Sequence, residues 1–207
     1  MSAEPADPTA LAEVDLVLGS TSRYRAELLR RLTARFRQAA PDVDETRRPG
    51  EAPRALAQRL ALAKAQAVAQ RHPGALVIGS DQVAALADET LGKPGDAATA
   101  RAQLAACSGR RVDFHTALCL VDARDPTAPR IHADIDLTTV QFRVLGAAEI
   151  ARYVEREQPL DCAGSFKSEG LGIALFERVT SEDPSALIGL PLIALCRLLR
   201  SAGVALL

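Results

Sequence analysis

Lysine is nearly absent from this sequence. Three of its 25 basic side chains, Lys64, Lys93 and Lys167, are lysines, and the rest are arginines. Lysine is a compact, strongly hydrated point charge and arginine a planar fork, so the two differ wherever geometry is tight. Each of the three lysines falls inside a candidate motif described below, which adds weight to those motifs. Long apolar runs are missing as well: none approaches the roughly 20 residues that span a bilayer. The opening Ser2-Ala3-Glu4-Pro5-Ala6-Asp7-Pro8 has neither the basic start nor the apolar stretch of an export signal. A net charge of −1 argues against a role dominated by counterion release on nucleic acid, and against a polybasic membrane anchor. The four cysteines, Cys107, Cys119, Cys162 and Cys196, are scattered without a Cys-x-x-Cys spacing. That excludes the usual metal clusters and disulfide frameworks and leaves reduced thiols in a cytoplasmic protein.

What is present is the composition of a soluble globular protein, 48% hydrophobic and 25% charged. A length of 207 residues suits one core, or two small lobes that share one. The expectation is a frayed tail over 1–14 and a single domain over 15–207. Asp15 to Ser20 reads as a short buried strand ending in small residues, after which Ser22 can cap a helix through Arg35. Phe36 to Ala40 reads as a second strand. Pro53 suits the first turn of a long helix to Arg71, with Leu56, Leu60, Ala63 and Ala67 as its apolar stripe. Ala75 to Ser80 is the clearest buried strand, with a hairpin expected around Asp88-Glu89. Asp96 can cap a helix through Cys107. Val112 to Asp122 and Ile131 to Phe142 form a long antiparallel pair across a proline-rich turn. Helices over Ala147 to Glu157 and Pro191 to Arg200 complete an α/β pattern with a mixed sheet.

Four constellations carry chemistry. The strand–loop–helix at Gly19 to Arg25 converges backbone N–H groups, the hydroxyls of Ser20 and Ser22, and the Arg25 fork, which suits a phosphate. Ser22 as a plain helix cap explains the same residues. The loop is neither a P-loop nor a dinucleotide fingerprint, since Gly-Lys-Ser/Thr and Gly-x-Gly-x-x-Gly are both absent. Asp42, Asp44 and Glu45 share one loop, and Asp81 follows the buried strand. Carboxylate oxygens joined by substrate phosphates are the donors Mg²⁺ prefers, although solvation alone accounts for the loop acids. Gly92-Lys93-Pro94 sets a cation on a tight turn, and Lys64 lies mid-helix. The glycine-rich run from Ala163 to Gly172, with Lys167 and Glu169, suits close approach to a ligand or an irregular loop.

Taken together these segments resemble the Maf family of nucleotide pyrophosphatases, from Leu16 to Leu199. The resemblance rests on Ser20-Thr21-Ser22-x-x-Arg25, Pro41-Asp42-Val43-Asp44-Glu45, Lys64-Ala65, Gly79-Ser80-Asp81-Gln82, Gly92-Lys93-Pro94, Ser108-Gly109, Ala163-Gly164-Ser165 and Gly189-Leu190-Pro191, in that order. It implies an inosine-triphosphatase-like elongated mixed sheet flanked by helices, with two lobes around a central cleft. It also implies hydrolysis of a nucleoside triphosphate to the monophosphate and pyrophosphate with a divalent cation, Mg²⁺, Mn²⁺ or Co²⁺. Asp81 matches the family's proton acceptor and, with Glu45, its metal-handling positions. Ser20, Arg25, Lys64 and Lys93 match its phosphate-handling positions.

Three departures from the commonest pattern narrow the substrate. Members acting on dTTP and UTP carry an Arg pair after the serines, where this chain begins with Tyr24. They carry Asp-Thr where Asp81-Gln82 stands, and Gln before glycine where Glu169-Gly170 stands. Cys162 to Gly170 is instead similar to the subgroup that acts on 7-methyl-GTP. A 7-methylated guanine is a cationic ring that favours an aromatic face, which Tyr24 offers, and a carboxylate, which Glu169 offers. Three alternatives stay open on the same residues. They are a dTTP/UTP enzyme, a house-cleaning enzyme for inosine-type nucleotides, and a non-catalytic nucleotide-binding regulator of septum formation. A homodimer is a further expectation, with the long hairpin from Val112 to Phe142 serving either as core or as interface.

Overall fold

Two apolar runs, Leu16-Val17-Leu18 and Leu76-Val77-Ile78, are buried on both faces, and burial on both faces is what parallel pairing requires. In the computed structural model, which describes residues 9–207, they pair as parallel strands β2 (Leu16–Leu18) and β4 (Leu76–Leu86). The outer neighbour of β2 is the short β3 (Arg37–Gln38). On its other side β4 pairs antiparallel with β6 (Arg111–Asp122), from Leu76↔Asp122 to Ala85↔Asp113. Strand β7 (Arg130–Phe142) follows in full antiparallel register, and β8 (Phe176–Thr180) closes that edge. The order is β3-β2-β4-β6-β7-β8, with β5 (Glu89–Leu91) added to β4 as a hairpin.

Side-chain alternation along β2 and β4 sorts the core into two layers. Leu16, Leu18 and Ile78 pack with helices α1 (Arg23–Leu29) and α5 (Leu192–Ser201), while Val17 and Val77 pack on α2 (Pro53–Ala69). At the far end of the long strands, α3 (Ala97–Cys107) and α4 (Ala147–Glu157) cover a second core around Phe114, Phe142 and Phe166, whose rings meet edge to face. The molecule is thus a mixed α/β fold with two lobes strung on β4, β6 and β7.

Several expectations need correction. The first helix ends at Leu29 rather than Arg35, and beyond it the Thr33 hydroxyl accepts the Arg35 N–H at 3.0 Å, an alternative to helical bonding. The inner face of α2 carries Ala57, Ala61, Lys64 and Ala65 in place of Ala63 and Ala67, because an alanine-rich helix offers little polarity contrast to fix its rotation. Strand β4 does not stop at Ser80 but runs through Asp81 and Gln82 to Leu86, since its pairing with β6 never breaks. The tail is ordered from Thr9: Thr9–Ala10 (β1) pairs with Val204–Ala205 (β9), and Leu11 and Val14 are buried. The remainder of that expected tail, residues 1–8, lies outside the described residues. Among those described, no helix is long and apolar enough to cross a membrane, and Cys107, Cys119, Cys162 and Cys196 are free thiols.

Candidate active site

One edge of β4 is left open at its middle. Strand β2 covers it as far as Ile78 and β5 resumes at Ala84, so 79–83 form a notch without a ladder partner on that side. Asp81 and Gln82 sit in the notch and, as successive strand residues, leave opposite faces of the sheet. Above Asp81 lies α2, drawn unusually close: a Cβ on Gly79 would stand 2.3 Å from the Ala61 carbonyl oxygen and 2.6 Å from the Ala65 nitrogen. That approach brings Lys64 down beside Asp81.

Lys64 is the pivot of the arrangement. Its ammonium donates to Asp81 Oδ1 at 2.6 Å and lies 2.7 Å from Glu45 Oε1. The side chains of Lys64 and Asp81 are 6% and 9% exposed, that of Glu45 55%, so two members are fixed and the third is free to move. Burial pushes the Asp81 carboxyl above the usual aspartate range, against the pull of Lys64 and Arg25. For Glu45 burial also pushes upward, but the hydrogen bond and charge of Lys64, helped by Lys93 and Arg25, outweigh it and hold the group low. A buried carboxylate paired yet held high has the character of a general base rather than of a stabilising ion pair.

The loop ahead of α1 supplies the next wall. Ser22 caps the helix, accepting the Arg25 N–H at 3.4 Å. Ser20 Oγ accepts from the Ser22 N–H at 3.2 Å and from Arg25 Nη1 at 3.3 Å, which leaves the hydroxyl proton free to donate. Arg25 is steadied by Nε donation to the Gly189 carbonyl at 2.8 Å, and its Nη2 has no partner among the described residues. Helix α1 has two turns, so the phosphate-binding capacity lies in Ser20 and Arg25 more than in a helix dipole. Across the cleft the exposed Lys93 follows β5 and makes no hydrogen bond or ion pair among the described residues.

All nine residues singled out in the sequence, Ser20, Tyr24, Arg25, Glu45, Lys64, Asp81, Gln82, Lys93 and Glu169, line one cleft of about 970 Å³. That volume suits a nucleotide. Gln82 Nε2 lies within 3.0 Å of Thr116 Oγ1 and of the Ala186 and Leu187 carbonyls, so its amide nitrogen holds a wall and leaves its oxygen for a ligand. One placement, that of Lys167, differs from expectation. Lys167 is not in the cleft: its ammonium donates to the Glu157 and Gln158 carbonyls at the end of α4. Asp161, which lines the cleft beside Tyr24, escaped sequence reading because it belongs to no motif and stands just before the glycine-rich run.

The residues fit a divalent cation of the Mg²⁺ type. Two hard carboxylates converge within 3 Å of one point, now held by the Lys64 ammonium, and no cage of three or more ligating side chains exists among the described residues. Such ions are commonly bound by one or two carboxylates together with substrate phosphates.

A family model described as Maf-like protein matches residues 15–202. The chain belongs to the Maf family. Among its relatives, a Xanthomonas oryzae pv. oryzae protein named 7-methyl-GTP pyrophosphatase is 60% identical over 188 residues, 91% of this chain and 96% of that one. Proteins of the same name from Chromohalobacter salexigens and Aromatoleum aromaticum are 56% and 55% identical, covering 91% and 92% of this chain and 96% and 97% of theirs. A HAM1 protein from Coxiella burnetii superposes with a TM-score of 0.47 at 20% identity, over 91% of this chain and 98% of that one.

Proposed function

We infer that this Maf protein is a nucleoside triphosphate pyrophosphatase that cleaves the α–β phosphate bond of 7-methyl-GTP, releasing 7-methyl-GMP and pyrophosphate. The observation that carries the reading is the buried Asp81–Lys64 pair, with Glu45 beside it, at the floor of a cleft walled by Arg25 and Lys93. A protein that merely bound nucleotide would have little use for a carboxylate held up by burial next to the phosphates. The names of the relatives support the substrate.

In this account Asp81 accepts the proton of a water in line with the α-phosphorus, and pyrophosphate leaves. Arg25, Lys93 and the Ser20 hydroxyl hold the phosphates and offset charge on the leaving group. Lys64 keeps Asp81 ionised and oriented. Glu45 is the exposed member of the trio. A divalent cation (Mg²⁺, Mn²⁺ or Co²⁺) held by Glu45, Asp81 and the substrate would supply charge neutralisation at the phosphates. Tyr24, Glu169 and the Gln82 oxygen line the base end. The setting is cytoplasmic and the partner is a free nucleotide, neither nucleic acid nor membrane.

Turnover in isotopically labelled water tests the chemistry. Label in the monophosphate is the expected result, whereas label in pyrophosphate, or release of inorganic phosphate, contradicts attack at the α-phosphorus.

A further inference from the structure

Beside Tyr24 the cleft holds a planar cation. The Arg23 guanidinium lies over the Tyr24 ring, 4.7 Å from its centroid, and donates to the Tyr24 hydroxyl at 2.7 Å. That hydroxyl in turn faces Asp161 Oδ2 at 3.5 Å, and the Arg23–Asp161 separation is 4.0 Å. Arg23 and Asp161 side chains are 67% and 57% exposed, so solvent screens this pair and holds it weakly. An aromatic face beside a carboxylate is the standard recognition chemistry for a delocalised cation. The arginine occupying it comes from the neighbouring position on α1 and is free to leave.

Carboxylates line the cleft beyond the Asp81–Lys64–Glu45 group as well: Asp161 faces the Tyr24 hydroxyl, and Glu169 is a further lining residue. A neutral purine gains hydrogen bonds from these carboxylates, but no net Coulombic attraction. A base bearing a fixed positive charge gains both, because a 7-methylated purine presents the two properties of the guanidinium it meets there: a flat charged ring and edge N–H donors.

We propose that Asp161 is a specificity-determining residue, which selects the cationic base by pairing with its charge on the Tyr24 face, and that Arg23 is the resident cation the base displaces. Glu169 also lines the cleft, its carboxylate accepting from Ser168 Oγ at 3.3 Å. This inference rests on the substrate reading above and extends it to residues outside the family motifs.

The test compares kcat/KM for 7-methyl-GTP and for GTP in the wild-type protein, Asp161→Asn and Arg23→Ala, with calorimetric binding of 7-methyl-GMP and GMP as a readout free of turnover. Asp161→Asn is expected to lower the 7-methyl-GTP to GTP ratio about threefold, expressed in KM and in the 7-methyl-GMP affinity. The deficit should shrink as ionic strength rises toward about 1 M, where Coulombic selection is screened. Arg23→Ala, which removes the competitor, is expected to raise the ratio. If Asp161→Asn lowers both substrates alike, or leaves the ratio where it was, Asp161 only positions Tyr24 or plays no part, and the proposal falls while the substrate reading stands. If the wild-type protein shows no preference for 7-methyl-GTP over GTP, the substrate reading falls and takes this proposal with it.

Discussion

At the scale of single residues, Asp81 is the group on which the chemistry turns. Its carboxyl is held above an ordinary aspartate by burial, with Lys64 and Arg25 pulling the other way. A general base must be ionised, so activity is lost as pH falls through the raised value. The acid limb of the kcat/KM profile should therefore lie above the range of a free aspartate, and a limb at or below that range would speak against Asp81 as the base. A raised carboxyl also means that the ionised form costs folding energy at neutral pH. Asp81→Asn should lower kcat roughly a thousandfold. It relieves that cost but leaves the buried Lys64 ammonium with Glu45 as its one carboxylate partner, so the variant should fold with a Tm no higher than wild type, as read by calorimetry. Substantial residual turnover in that variant would remove its assigned role.

At the scale of elements, the site depends on one close contact between a helix and a strand. Gly79 allows the α2 backbone against β4, and with it the approach of Lys64 to Asp81. Gly79→Ala must push α2 outward, because its new Cβ meets backbone atoms rather than flexible side chains. The expected outcome is a loss of about 1–3 kcal/mol in denaturant unfolding and a fall in kcat that exceeds any change in KM. Unchanged stability would mean that the helix is not seated as described. The same contact explains what the sequence hid. Helix α4 is legible to the residue, Ala147–Glu157, because its apolar positions recur with a clear helical period. The inner face of α2 was not, because its pattern is alanine on all sides and its one buried charge, Lys64, reads as solvent-facing by default. Local rules fail where a functional group has replaced a packing one.

At the scale of the whole molecule, the notch is a property of topology that no local pattern announces. Asp81 reads from sequence as a residue at a strand's end, because the apolar run stops at Ile78 and small residues follow. In the fold the strand continues, and it is β2 that ends, leaving β4 exposed between its two edge partners. The order of the motifs along the chain was enough to place nine residues at one cleft, since each lies on a helix, loop or strand that borders the cleft. Asp161 and the resident Arg23 depend on a contact 137 residues apart in sequence, between Tyr24 and Asp161, and so became visible only in three dimensions. In this account Arg25 and Lys93 pair with the triphosphate, and Tyr24 and Asp161 with a positive base. The most direct measurement is therefore kcat/KM across a panel of 7-methyl-GTP, GTP, dTTP, UTP and ITP, with Mg²⁺, Mn²⁺ and Co²⁺ each supplied in turn. 7-methyl-GTP should be cleaved fastest, with stoichiometric pyrophosphate. Faster cleavage of dTTP, UTP or ITP would contradict the account.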